Sequence, residues 1–236
     1  KYTISLSNIT NSNASFSIPE NIKSGLYTIS VIRGDKDQSL GTVRLNIVAN
    51  TNIPDKEGMT IKGVVSSAGV GVPGVVVSDG YEVTVTDEEG VYYLPSEKKN
   101  GYVFISVPGN FEVSNKGKLP EFFQKVMVDS KTVEQRNFSL TKTDNKNHVV
   151  LAMADWHLAK RNNDLDQFNN FLNDANATIK EYKSKGLKVY GLTLGDMSWD
   201  LYWYSNNFAL PEYVTQMNRL DATVFNVMGN HDNDPY

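Results

Sequence analysis

Asp155-Trp156-His157, Gly195-Asp196 and Gly229-Asn230-His231-Asp232 are the three places where this sequence gathers oxygen and nitrogen ligands behind short apolar runs. Carboxylate, imidazole and amide oxygen are the donor types that hold divalent cations. The chain contains no Cys, so a metal must sit on His, Asp, Glu, Asn or backbone oxygen. Taken singly, an Asp-x-His or a Gly-Asp after a strand is as readily a turn or a helix cap. Three such runs in order, each behind an apolar stretch, single out metal-ligand chemistry.

The elements around them must be able to bring the three runs together. "HVVLAMAD" reads as a short, nearly all-apolar strand of the kind buried on both faces. From Leu165, apolar residues recur at Phe168, Leu172, Ala175, Ile179 and Tyr182, the spacing of one helix face, and Gly186 is a natural stop. "LKVYGLTL" is a second strand, "LPEYVTQMNRL" a second helix with Pro211 near its start, and "ATVFNVM" a third strand. Alternating strands and helices predict parallel strands with right-handed crossovers, and ligand sites in such sheets lie just past the carboxyl ends of the strands. Each of the three runs falls at such an end.

This part of the chain, about residues 146–236, resembles the calcineurin-like metallophosphoesterases, whose first blocks are Asp-x-His, Gly-Asp with a further acid, and Gly-Asn-His-Asp/Glu. The resemblance implies that Asp155 and His157 ligate one metal, that Asp196 bridges two, that Asn230 ligates the second, and that His231 stands beside the reacting phosphoryl group. It implies two divalent ions (Zn, Mn, Fe or Ni) and hydrolysis of a phosphate mono- or diester by a metal-bound hydroxide. Two ions about 3.5–4 Å apart suit that role, because they acidify a shared water and stabilise charge in an in-line displacement. Asp232 either orients the His231 imidazole, making His231 and Asp232 the catalytic pair, or is a solvent-facing turn residue. "MSWDLYWYSNNFALPEY" places Trp199 and Trp203 with Tyr202 and Tyr204 in one loop, as a substrate-binding wall or as core.

Two departures from the family stand out. Asp200 lies four residues after Asp196 where the family's second acid lies three after, which leaves it as support for the site or as a helix cap. The family's later histidines have no counterpart, since the only three are His148, His157 and His231. His148 begins the strand that ends near Asp155, roughly 20 Å away at about 3.3 Å per residue. On this reading the chain is a piece of a longer protein, inactive alone, with an uncovered apolar sheet face through which it self-associates.

Upstream, the patterning has period two. Tyr27, Ile29 and Val31, then Val43, Leu45 and Ile47, alternate with polar residues and predict a hairpin with one wet face. Arg33-Gly34-Asp35 falls in its loop and reads as a polar turn rather than an integrin-type tripeptide. Residues 1–50 resemble part of an immunoglobulin-like module. "GVPGVVVSDG" and "TDEEGVYYL" resemble a prealbumin-like, carboxypeptidase-regulatory-like β-sandwich over about residues 57–141. The expected fold class is therefore multidomain: a β-module at 1–50, a β-sandwich at 51–143, and at 144–236 the first βαβαβ part of an incomplete α/β phosphoesterase domain, itself an αββα sandwich. With 40% hydrophobic residues the chain can bury a core, and a net charge of −4 without basic blocks argues against long nucleic acid as a partner. No apolar run spans a bilayer. Tandem sandwich modules and the lack of Cys suit an extracytoplasmic bacterial protein, in the periplasm or at the cell surface. A non-catalytic surface protein, binding glycan or protein on a phosphoesterase-like scaffold, is the alternative.

Overall fold

The computed structural model describes residues 3, 4, 6–10, 13–19, 22–33, 38–127 and 129–233. Gly34 and Asp35 of the Arg-Gly-Asp run lie outside them. Two units divide the chain, Lys1–Gly101 with Val126–Phe138 and Tyr102–Lys125 with Ser139–Tyr236.

The described residues of the first unit form strands without helices. Gly25–Arg33 and Gln38–Ile47 pair antiparallel, with Tyr27 opposite Leu45 and Ile29 opposite Val43, and the register shifts between Val31 and Ile32. Tyr27, Ile29, Leu45 and Ile47 are half-buried while Thr28, Ser30, Arg44 and Asn46 are exposed, as a two-faced ribbon requires. Ile61–Ser67 pairs antiparallel with Val91–Leu94 and parallel with Glu134–Gln135. The core of this unit includes Ile61, Val64, Val65, Val75, Val77, Tyr92 and Leu94.

A charged network lies beside that core. The Lys98 side chain is fully buried and donates from Nζ to Thr132 O and to Glu134 Oε2 at 2.6 Å. Glu134 also accepts the Met127 N–H at 3.0 Å and pairs with Arg136. Burial alone would raise its pKa, but these partners hold Glu134 below the usual carboxylate value. A buried lysine persists only when its charge is matched in this way.

In the second unit the period of three and four becomes α1, Asp164–Ser184, which buries Phe168, Leu172, Ala175 and Ile179. It stops where Gly186 turns left-handed at φ +78°. There the Gly186 and Leu187 N–H groups return to the carbonyls of Lys183 and Tyr182, satisfying the end of the helix. The second helix, α2, is Leu210–Met217, with Pro211 in its first turn. His148–Met153, Lys188–Thr193 and Thr223–Phe225 form a parallel sheet in that order. One face of it packs Val149, Leu151, Met153, Val189 and Val224 into a core with α1 and α2.

The first parallel strand is not buried on both faces, as its composition predicts. Its residues alternate, and Val150 is 46% exposed and Ala152 exposed. The helices cover only one face, so apolar residues on the other meet solvent. His148 opens this strand, at the end away from Asp155, and donates from Nδ1 to Asn145 O at 3.0 Å. No helix among the described residues is long and apolar enough to cross a membrane.

Candidate metal centre

Of the three loops that leave the carboxyl ends of the parallel strands, the first two are joined by backbone hydrogen bonds. After the first strand, the N–H groups of Asp155, His157 and Leu158 donate to the carbonyls of Gly195, Asp196 and Met197, at 3.1, 2.9 and 3.2 Å. The two loops thus run side by side past the ends of their strands. Asp155, His157 and Asp196 hold left-handed backbone, with φ of +57°, +46° and +54°. Asp and His tolerate that region better than most non-glycine residues, and such conformations gather at functional sites.

The third loop is drawn in by glycine. At Gly195 φ is +104°, and a Cβ there would lie 2.8 Å from the Gly229 Cα. A Cβ on Gly229 would lie 2.2 Å from Asp196 Oδ1. The glycines ahead of Asp196 and Asn230 therefore exist for close approach of the two loops.

Asp232 fixes that approach. Its side chain is fully buried and accepts four hydrogen bonds, from the N–H groups of Met197 (3.2 Å), Ser198 (2.8 Å) and Gly229 (2.9 Å) and from the Ser198 hydroxyl (3.2 Å). Asp232 is thus neither a solvent-facing turn residue nor the partner of the His231 ring. That partner is Asp200, whose Oδ1 lies 2.8 Å from His231 Nδ1. The hydrogen bond to Asp200, ahead of the nearby carboxylate charges, holds His231 above the ordinary imidazole pKa. The same bond holds Asp200 below the usual carboxylate value.

His157, Asp196 and His231 come together so that one ligand atom from each lies within 4.8 Å of the others. His157 Nε2 stands 3.6 Å from Asp196 Oδ2, and the two histidine rings meet edge to face at 5.0 Å. Asp196 Oδ1 accepts the His231 N–H at 2.9 Å, which turns Oδ2 toward His157. His157 Nε2 is buried without a hydrogen-bond partner. An orphaned imidazole nitrogen facing a carboxylate oxygen too distant for a hydrogen bond fits a divalent cation, which both would ligate. Asp155 and Asn230 are exposed, and Asp155 lies outside this cluster.

The aromatic loop divides in two. Trp199 packs on His157 at 5.0 Å and on His231 at 5.9 Å, with its indole N–H buried and unpartnered. Trp203 points its N–H to Ser198 Oγ at 3.0 Å and so braces the Asp232 network rather than the site's mouth. The residue that sequence reasoning passed over is Arg161. Its guanidinium lies over Trp199 at 4.7 Å and Tyr202 at 5.7 Å, and donates to the His157 carbonyl at 2.9 Å. Only its place four residues after His157 could have drawn notice.

Comparison with known families places one part of the chain. Residues 59–143 match the N-terminal region of calcineurin-like phosphoesterase. This is the stretch that resembles a prealbumin-like sandwich, and it stands ahead of the three ligand-bearing loops. The matched family is typically metal-dependent and hydrolytic, and the His157, Asp196 and His231 group could bind a metal. Neither a curated protein nor a solved structure matches the chain.

Proposed function

We propose that this chain carries part of the active site of a metal-dependent phosphoric ester hydrolase, with β-modules at 1–50 and 51–143 ahead of a site-bearing part at 144–236. The observation that carries the reading is the orphaned His157 Nε2 facing Asp196 Oδ2, with His231 alongside, at the carboxyl ends of parallel strands. The match over residues 59–143 supports the same class of reaction.

In this reading His157 and Asp196 hold divalent metal, and Asp155 and Asn230 complete their share of a two-ion site, as the family resemblance implies. Bound metal would supply Lewis acidity toward the phosphoryl oxygens and lower the pKa of a water. The remaining work belongs to the chain. Asp200 accepts from His231 Nδ1, which leaves Nε2 as the working nitrogen. Asp200 raises the His231 pKa and so favours the protonated ring, which can deliver a proton at Nε2 to a departing ester oxygen. Trp199 lies against both histidine rings and excludes water from one side. Asp232 keeps the second and third loops at the spacing that places Asp196 against the His231 backbone.

The test is metal analysis of the longest natural form together with turnover of aryl phosphate mono- and diesters. Stoichiometric metal and turnover, both lost in Asp196→Asn, are expected. Stoichiometric metal with no turnover on a broad ester panel would overturn the catalytic reading in favour of a scaffold.

A further inference from the structure

The metal cluster has a neighbour of opposite charge on the same wall. Arg161 sits in the loop after the first parallel strand, and its guanidinium lies in the corner between the Trp199 and Tyr202 rings, at 4.7 and 5.7 Å from their centroids, the rings themselves meeting edge to face at 79°. Trp199 also packs on the rings of His157, at 5.0 Å, and His231, at 5.9 Å. The guanidinium and the metal-facing imidazole thus share this indole and lie no more than about 10 Å apart.

The arginine is placed and paired, yet keeps donors to spare. Its Nη2 donates to the His157 carbonyl at 2.9 Å, and its Nε makes an ion pair with Asp164 Oδ2 at 3.5 Å. The Asp164 carboxylate is already engaged at the start of α1, where it accepts the N–H groups of Ala159 at 3.1 Å and Leu165 at 3.0 Å. Arg161 Nη1 makes no hydrogen bond among the described residues, and 35% of the side chain is exposed. Contact with both rings and the hydrogen bonds from Nη2 and Nε hold the fork in place, and a held guanidinium fork matches the oxygens of a phosphate. The carboxylates at the cluster, Asp196, Asp200 and Asp232 with Asp155 in the same loop as Arg161, are acidic. An anion held here must be drawn by Arg161, by the His231 ring when protonated and by whatever the cluster binds.

We propose that Arg161, held against Trp199 and Tyr202, is a specificity-determining subsite that takes a second phosphate joined to the one being cleaved, so that the preferred substrates are phosphoanhydrides. This rests on the phosphoesterase reading and names its substrate class. In the reaction, water oxygen bonds to the scissile phosphorus and the bridging P–O bond breaks. The bridging oxygen departs with the second phosphate, and the protons of water pass to the products and solvent. A phosphate leaving group carries its own negative charge, and Arg161 is the side chain positioned to receive it.

The experiment uses the full natural chain, once loaded with Mn and once stripped by chelator, titrated with inorganic pyrophosphate and with inorganic orthophosphate. Binding is read by tryptophan fluorescence, since Trp199 carries the stack. Arg161→Gln is expected to weaken pyrophosphate binding by ~10-fold or more, the worth of one charge-assisted hydrogen bond, while orthophosphate binding and metal content stay within about twofold. Arg161→Lys preserves charge and fold but not the planar fork, and is expected to lose several-fold in pyrophosphate binding alone. Equal loss for both anions, or unchanged pyrophosphate binding in both variants, would overturn the subsite. Wild-type protein that binds pyrophosphate through Arg161 without hydrolysing any ester would overturn the phosphoesterase reading and leave the subsite standing.

Discussion

Replacing Asp232 separates a structural carboxylate from a catalytic one. It accepts four hydrogen bonds in a fully buried position, two on each oxygen: Ser198 N–H and hydroxyl on Oδ1, Met197 and Gly229 N–H on Oδ2. In Asp232→Asn the amide nitrogen must replace one of those oxygens. If it faces Met197 and Gly229, two backbone donors point at a third donor. If it faces Ser198, the hydroxyl can rotate to accept and only the Ser198 N–H is orphaned, so this orientation wins. One unsatisfied buried donor at about 1–3 kcal/mol, with charge assistance lost from the others, gives a cost of about 2–4 kcal/mol. Asp232→Ala leaves three backbone N–H groups without an acceptor and should cost about 4–6 kcal/mol. The assay is urea unfolding followed by tryptophan fluorescence. The three tryptophans, Trp156, Trp199 and Trp203, all lie in the second unit and report on it alone. With a slope of about 2 kcal/mol per M, Asp232→Asn should lower the midpoint by ~1–2 M. Metal affinity should fall with it, because the loops that carry Asp196 and His231 lose their tie. A variant as stable as wild type but with a shifted pH–activity profile would refute the structural assignment and make Asp232 a partner of His231 after all.

Asp200→Asn removes the acceptor that raises the His231 pKa, so the metal-free ring should release its proton at lower pH than in wild type, seen in an NMR titration. Because the His231 value is raised and the Asp200 value lowered, this pair stabilises the fold between the two, fading as pH rises through the folded His231 pKa and as it falls through the folded Asp200 pKa. Burial first, then the hydrogen bond to Glu112, pushes the Tyr190 phenol up to about 12. Its contribution is whole below the ordinary tyrosine pKa of about 10 and lost toward 12, so Tyr190→Phe should lessen the alkaline loss of stability in thermal melts across that window. Lys98→Met takes its fully buried cation from Glu134, which keeps Arg136 and the Met127 N–H, and should cost about 3 kcal/mol in chemical denaturation, with Lys98→Met/Glu134→Leu costing less than the single change.

The elements that repeat in sequence are the ones that were legible. Phe168, Leu172, Ala175 and Ile179 lie on one stripe because the helix period puts them there, and Gly186 ends the helix for a reason local to its own backbone. Burial of the strands was less legible. "HVVLAM" is apolar on both sides, but burial depends on a second layer that no residue in the strand encodes, and Val150 and Ala152 meet solvent. At the site, His157, Asp196 and His231 could be expected to converge because each follows a strand end. The role of Asp232 could not be read, because its partners are backbone N–H groups as far away as Met197, which leave no trace in side-chain pattern. Asp200 lies one residue off the family's spacing, and only the turn at Asp200–Tyr202 reveals that its carboxylate reaches His231. Arg161 had no signal beyond its charge and its place four residues after His157.

Asp155, His157 and Asp196 sit on left-handed backbone, and this ties donor chemistry to chain geometry. Swapping Asp196 for Glu, or His157 for Gln, changes more than the ligand atom, because those longer side chains lose the tolerance for positive φ that Asp and His possess. The loop would relax toward extended backbone and carry its neighbours with it. Metal preference at these positions is therefore not free to drift by single substitutions: an altered ligand arrives with an altered loop, and a new specificity needs both changes at once.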